Sequence, residues 1–157
     1  MSVVEDRLAE LGLTVPDVAP PAGAYVPALR VGDYVYTSGQ LPMVSGELPQ
    51  TGKVGEGHGL VPASDAKELA QTCALNAIAA VKSVVGDLDR VTRVVKVVGF
   101  VASDASFTGQ PGVINGASEL LGRAFGDAGV HARSAVGVAV LPLDSPVEVE
   151  IVVAVAD

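Results

Sequence analysis

HARSAVGVAVLPLDSPVEVEIVVAV, residues 131–155, decides how the rest of the chain is read. Two Val-rich runs, 133–141 and 146–156, flank the turn-like LPLDSP, and β-branched runs bounded by Pro and Asp read as strands. In the second run Val147, Val149, Ile151, Val153 and Val155 fall on one face, because side chains alternate along a strand. The opposite face carries Glu148 and Glu150, then Val152 and Ala154. A sheet with one wet face shows a clean apolar–polar alternation, and this run does not. The short turn predicts that the two strands are antiparallel neighbours. Arg133 then stands at the open end of its strand and Glu148 near the turn, so the pair does not need to touch within one chain.

Upstream, 93–103 (RVVKVVGFVAS) reads as another strand that is apolar on both faces, with Val95, Val97 and Val101 on one side and Val94, Lys96, Val98 and Phe100 on the other. YVPALRVGDYVYTSGQLP (25–42) reads as a hairpin turning at Val31-Gly32-Asp33. The clearest helix is 64–86, with Ser64 or Asp65 as its cap and Gly86 as its stop. Its Leu69, Cys73, Asn76, Ala80 and Val84 share a face. A second helix covers 111–126, with Ile114, Leu120, Leu121 and Phe125 as its apolar contacts. Near the start, Ser2 and Glu5 have capping-box spacing for a short helix over 2–12. Residues 15–24 form a Pro-rich connector, and 43–63 a long Gly- and Pro-containing loop. The order is hairpin, helix, strand, helix and two strands: an α/β (α+β) chain with two long helices packed on one face of a mixed sheet. Two helices cover only one face, so the patterning predicts that a second copy of the chain covers the other.

The 157 residues fit a single domain, 1–157. Hydrophobic residues make up 49% of the chain, enough for a sizeable core. The net charge of −8, with ten scattered Lys and Arg, disfavours a nucleic-acid partner, which calls for a basic patch. No apolar run reaches the roughly 18 residues of a membrane span. The acidic, amphipathic start is unlike a signal peptide, and a single cysteine, Cys73, cannot form an internal disulfide. These features predict a cytoplasmic protein.

Little chemistry stands out. Gly55-Glu56-Gly57-His58-Gly59 is no dinucleotide fingerprint. His58 and His131 lack a partner at metal-ligand spacing, so no metal is expected. Cys73, mid-helix among alanines, reads as a small core residue. Ser38 and Ser118 lack the GxSxG context of a serine nucleophile. What remains is Arg133, whose planar fork of donors matches a carboxylate, and Glu148, which can position water or move a proton. Residue chemistry alone favours an intersubunit salt bridge between them.

RVGDYVYTSGQLP (30–42), VINGASELL (113–121) and residues 131–155 resemble the YjgF family, also called the Rid family, whose best-known members are reactive-intermediate (imine) deaminases. The resemblance runs from about Tyr25 to the C-terminus and is strongest in ARSAV and the following LP and VEVE. It implies a chorismate-mutase-like fold and a homotrimer with sheets inside, helices outside and a cleft between each pair of subunits. It implies hydrolysis of 2-enamine or 2-imine carboxylic acids, such as 2-aminoacrylate, to 2-keto acids and ammonia, without metal or organic cofactor. Arg133 takes the place of the residue that binds the substrate carboxylate, and Glu148 that of the residue associated with the attacking water. Tyr25, Ser38 and Asn115 match pocket positions. The alternatives are a trimer that binds small carboxylates without turnover, or an endoribonuclease, the latter opposed by the acidic balance. The chain departs from the family where His131 replaces a common Pro and Ala135 a common Cys, and in its longer N-terminal helix and 43–63 loop. His131 is read as a packing residue rather than an acid or base.

Overall fold

The computed structural model describes Met1–Asp157. Its elements are α1 (Val3–Glu10), β1 (Ala28–Val31), β2 (Tyr34–Thr37), α2 (Ala63–Val85), β3 (Val91–Ala102), α3 (Gln110–Phe125), β4 (Ala132–Val138) and β5 (Val147–Val155). The strands form one mixed sheet in the order β1-β2-β5-β3-β4, with β4 parallel to β3 and every other pair antiparallel. Helices α2 and α3 pack side by side across one face, and α1 lies against α3.

Local signals mostly place the elements. The Ser2 hydroxyl accepts from the Glu5 N–H while the Glu5 carboxylate accepts from the Ser2 N–H, the capping box expected at α1. Gly32, at φ 59°, turns the β1–β2 hairpin. Gly86, at φ 77°, stops α2. The start of α2 differs from expectation. The helix begins at Ala63 after Pro62, and neither Ser64 nor Asp65 caps it, because both already lie within the first turn. A proline there fixes an extended entry, and no side chain caps the first turn.

The strand order corrects the sequence reading more deeply. β4 and β5 do run antiparallel, but they are not neighbours, since β3 lies between them. The connection 139–146 carries the chain across the end of β3, over two strand spacings of about 4.8 Å each. The long, apolar β3 takes a partner on each edge, and the chain reaches the parallel β4 through α3, as a parallel pair requires. β4 is left as an edge strand.

A second correction concerns β3. Its register against β5 slips between Val94 and Lys96. The bulge leaves Val95 unpaired and puts Val94, Val97 and Val101 beneath the helices, while Lys96, Val98 and Phe100 point outward. A strict period of two assigns Val94 and Val95 to the wrong faces.

The core lies between helices and sheet. Val147, Val149, Ile151, Val153 and Val155 of β5 are all buried against Cys73, Ala77, Ile78 and Ile114 in one cluster. The loop expected over 43–63 ends at Pro62, where α2 begins, and has no helix or ladder strand before that, yet it is pinned. Val54 and Val61 are buried, and the Val54 backbone bonds Ala102 at the end of β3 and Asp104 just beyond it. The outer sheet face carries no element. Leu29, Val31, Tyr34, Tyr36 and Val136 are exposed there, Val31 to 61% and each tyrosine to 45%. No helix is long and apolar enough to cross a membrane.

Candidate functional site

The expected site residues fall into two groups. The first surrounds Arg133 on edge strand β4. Arg133 pairs with Val97, a residue of the helix-facing side, so its side chain runs toward α3. Arg133 Nη1 donates to Asn115 Oδ1 at 2.8 Å and to Ser118 Oγ at 3.3 Å, and Nη2 donates to the Pro111 carbonyl at 3.3 Å. Asn115 and Ser118 stand one turn apart on α3, where residues three apart share a face. Every partner is neutral. The ion pairs of the chain are Arg30–Asp157, Lys67–Glu119 and Lys82–Glu5, and Arg133 is in none of them. Its Nε–H also lacks a partner in the chain. A half-buried guanidinium is thus oriented by dipoles while its charge stays uncompensated.

The second group lies around the end of the hairpin. The Ser38 hydroxyl donates to the Val26 carbonyl at 2.6 Å, beside Tyr25, and the Tyr25 hydroxyl accepts from the Ala22 N–H at 3.2 Å. Tyr25 and Gly39 line one shallow cavity together with Pro27, Gln40, Leu41 and Leu143. Glu148 crowds Gly39 closely: a Cβ on Gly39 would sit 2.7 Å from Glu148 Oε1. Only a glycine leaves the carboxylate this position. Burial, and then the charge of Glu150, push the Glu148 carboxyl up from its ordinary value. That moves it toward the range in which a carboxyl can both take and return a proton near neutrality.

The two groups do not meet within one chain. Arg133 is level with Val97 of β3 and lies on the helix side, whereas Glu148 is level with Phe100 on the outer side, two strands away. Asn115 stands with Arg133, while Tyr25 shares a cavity with Gly39, which follows Ser38 in the chain and abuts Glu148. Cys73 is fully buried, and burial first, then Glu148, raise its thiol well above the ordinary value, which removes it as a nucleophile.

Two residues at Arg133 were read from the sequence as bland. Ser118 Oγ lies 2.9 Å from His131 Nε2, and His131 Nδ1 lies 2.6 Å from the Gly129 carbonyl. The signal for Ser118 was its one-turn spacing from Asn115. His131 is two residues before Arg133 but held no pattern of its own, since its contacts are made through a helix distant in sequence.

Residues 5–155 match the family described as "YjgF/chorismate_mutase-like, putative endoribonuclease". The chain belongs to the YjgF/chorismate-mutase-like family. Among its YjgF relatives is Protein TCP17 of Trypanosoma cruzi, 42% identical over 151 residues, with 96% of this chain and 92% of that protein covered. Protein Atu1372 of Agrobacterium tumefaciens is 45% identical, with a TM-score of 0.90 over 98% of this chain and 93% of that one. More distant is the structure of E. coli TdcF with bound serine, 26% identical at a TM-score of 0.61, covering 91% of this chain and 94% of that one. The mixed sheet with helices on one face is the fold of this YjgF family.

Proposed function

We propose that the protein hydrolyses reactive 2-enamine and 2-imine carboxylic acids, 2-aminoacrylate among them, to 2-keto acids and ammonia, in clefts between the subunits of a homotrimer. The observation that carries this reading is Arg133: a cation fixed by three neutral acceptors, with no carboxylate of its own chain to neutralise it. Such a group favours a small planar carboxylate over a solvated surface role. TdcF, a family relative, holds serine, which also bears a carboxylate.

The oligomer follows from the sheet. An outer face displaying Leu29, Val31, Tyr34, Tyr36 and Val136 is costly to leave in water, and a second copy buries it with matching chemistry. Glu148 lies on that same face, so a neighbouring subunit can bring Glu148, Tyr25 and Ser38 to the Arg133 of the next. Each cleft is then built from both groups.

The chemistry asks little of the protein. The enamine tautomerises to the imine, and C2 becomes electrophilic. Arg133 holds the carboxylate and draws electron density from C2. Glu148 takes a proton from water as the oxygen bonds to C2 and passes it to the imine nitrogen. It then takes the proton of the new hydroxyl and passes it to the amino group as the C–N bond breaks, so that ammonia leaves and the hydroxyl becomes the keto oxygen. Water supplies the oxygen, nothing is oxidised or reduced, and no metal or organic cofactor is required. An RNA-cleaving role draws on the family description and on related structures named as endoribonucleases, and the net charge of −8 opposes it.

The test generates 2-aminoacrylate in situ from serine with a dehydratase and follows its loss. The wild-type protein accelerates the loss. Arg133→Ala lowers kcat/KM about 10–100-fold, the worth of a charge-assisted hydrogen bond of roughly 1.5–3 kcal/mol. Equal rates with and without the wild-type protein refute the deaminase reading for this substrate. A gain that survives undiminished in Arg133→Ala refutes the role given to Arg133.

A further inference from the structure

Ser118 and His131 have no place in the chemistry above, yet they form the support on which Arg133 rests. The Gly129 carbonyl can only accept, so the His131 Nδ1 that lies 2.6 Å away carries the ring hydrogen. In the neutral ring Nε2 is then a lone-pair acceptor. Ser118 Oγ, 2.9 Å from Nε2, must be the donor in that contact. With its hydrogen committed to His131, the hydroxyl turns a lone pair toward Arg133 Nη1 at 3.3 Å. The hydrogen bonds therefore run one way, from Arg133 to Ser118 to His131, and on from His131 to the Gly129 backbone.

The direction has a physical purpose. A serine within a helix commonly donates to the carbonyl one turn back, and its hydroxyl is free to rotate. His131 removes that freedom by holding the hydrogen. A long Arg side chain on an edge strand also loses substantial rotamer entropy when it is fixed, and each directed acceptor on α3 offsets part of that cost before a ligand arrives.

We propose that Ser118 and His131 are positioning residues that pre-set the Arg133 guanidinium as a carboxylate receptor, so that their effect falls on substrate binding rather than on the chemical step. This inference rests on reading Arg133 as the carboxylate anchor. It assigns a role to His131, whose ring joins Ser118 to the Gly129 backbone.

The experiment uses Ser118→Ala, His131→Asn, His131→Gln and the double variant Ser118→Ala/His131→Asn in the full chain. Asn at 131 can still reach the Gly129 carbonyl as Nδ1 does, but it offers nothing at the Nε2 position. Gln reaches further and presents an acceptor there. KM and kcat are measured for 2-aminoacrylate, and the order of the Arg133 Nε–H is measured by nitrogen-15 relaxation without ligand. Ser118→Ala and His131→Asn should each raise KM about fivefold or more, the worth of one neutral hydrogen bond, with kcat nearly unchanged and the Arg133 Nε–H more mobile. The double variant should be no worse than either single one, because both break one chain of bonds. His131→Gln should restore most of the binding. Unchanged KM and unchanged Arg133 mobility in both single variants overturn the proposal, as do effects that multiply in the double variant. If the wild-type protein leaves 2-aminoacrylate untouched, the deaminase reading fails by itself. The relaxation data then still decide the inference: a mobile Arg133 in both single variants upholds it, and an unchanged one overturns it.

Discussion

Gly116 sits where α3 crosses α2, and replacing it with alanine is the sharpest test of how the helix layer supports the site. A Cβ at Gly116 would lie 1.9 Å from the Lys67 carbonyl oxygen and 2.9 Å from the Lys67 carbonyl carbon. Both are backbone atoms of α2, so no side-chain rotation relieves the clash, and the helices must part by about 1 Å or more. A gap of that size forfeits roughly a quarter to a half of each dispersion contact it opens, and Ala117, Leu120 and Leu121 belong to the core cluster beside it. Overpacking of this kind costs about 1–3 kcal/mol and at times more, against which alanine returns about 1 kcal/mol of helix propensity. A net loss of about 1–2 kcal/mol is expected, or roughly 2–8 °C in Tm for a chain of this length. Gly112 and Gly122 lie in the same helix, and a Cβ at either meets nothing within 4 Å. Alanine there should stabilise by about 0.4–1 kcal/mol. Urea unfolding followed by circular dichroism, at one fixed protein concentration, compares the three. Asn115 and Ser118 flank Gly116, so the displaced helix also draws both acceptors away from Arg133, and the folded Gly116→Ala protein should show a raised KM. Gly116→Ala as stable as the other two variants would refute the close approach and the argument built on it.

Glu148→Gln should abolish turnover and yet leave the folded chain slightly more stable at pH 7. The Glu148 carboxyl is raised by burial and by Glu150, so its contribution to stability is full below the ordinary value of 4.5 and is lost as pH rises through the folded value. The Gln variant lacks that loss, and its advantage, below about 1 kcal/mol after solvent screening, should grow as pH rises above 4.5 and then level off in urea titrations; a constant gap would refute the assignment. Glu5 behaves oppositely. Its bond from Lys82, then those from Ser2, hold it near about 2 against an ordinary 4.5, so the stability it adds is present above the ordinary value and disappears as pH falls from there toward 2. Glu5→Gln should cost about 0.5–1 kcal/mol at pH 7 and nothing near pH 2, read as faster hydrogen exchange in residues 2–12 at pH 7 only.

The sequence reading succeeded where interactions are local. The Ser2–Glu5 capping box and the Gly86 stop depend on a few neighbouring residues, and both stand in the structure. The alternation of β5 also survived intact, since a regular strand needs only period two. Pattern failed where one unpaired residue reset the count, at Val95, and where neighbours are chosen by the whole sheet, at β4 and β5. A short connection suggested pairing, but the better partner for both strands was β3. At the site, the charges of Arg133 and Glu148 were legible as isolated chemistry. Asn115 came from resemblance, and the structure brings it to Arg133. The Ser118–His131 contact joins a helix to a strand start through space, with no periodicity to announce it.

The separation of Arg133 from Glu148 within one chain has a genetic consequence. In the proposed assembly every cleft borrows one wall from each of two copies, so a chain lacking Arg133 and a chain lacking Glu148 are both impaired, for different reasons. Unfolded together and reassembled, they would complement one another, because a cleft that takes Arg133 from one and Glu148 from the other is whole. In that assembly, damage is a property of the mixture of alleles and not of each allele alone.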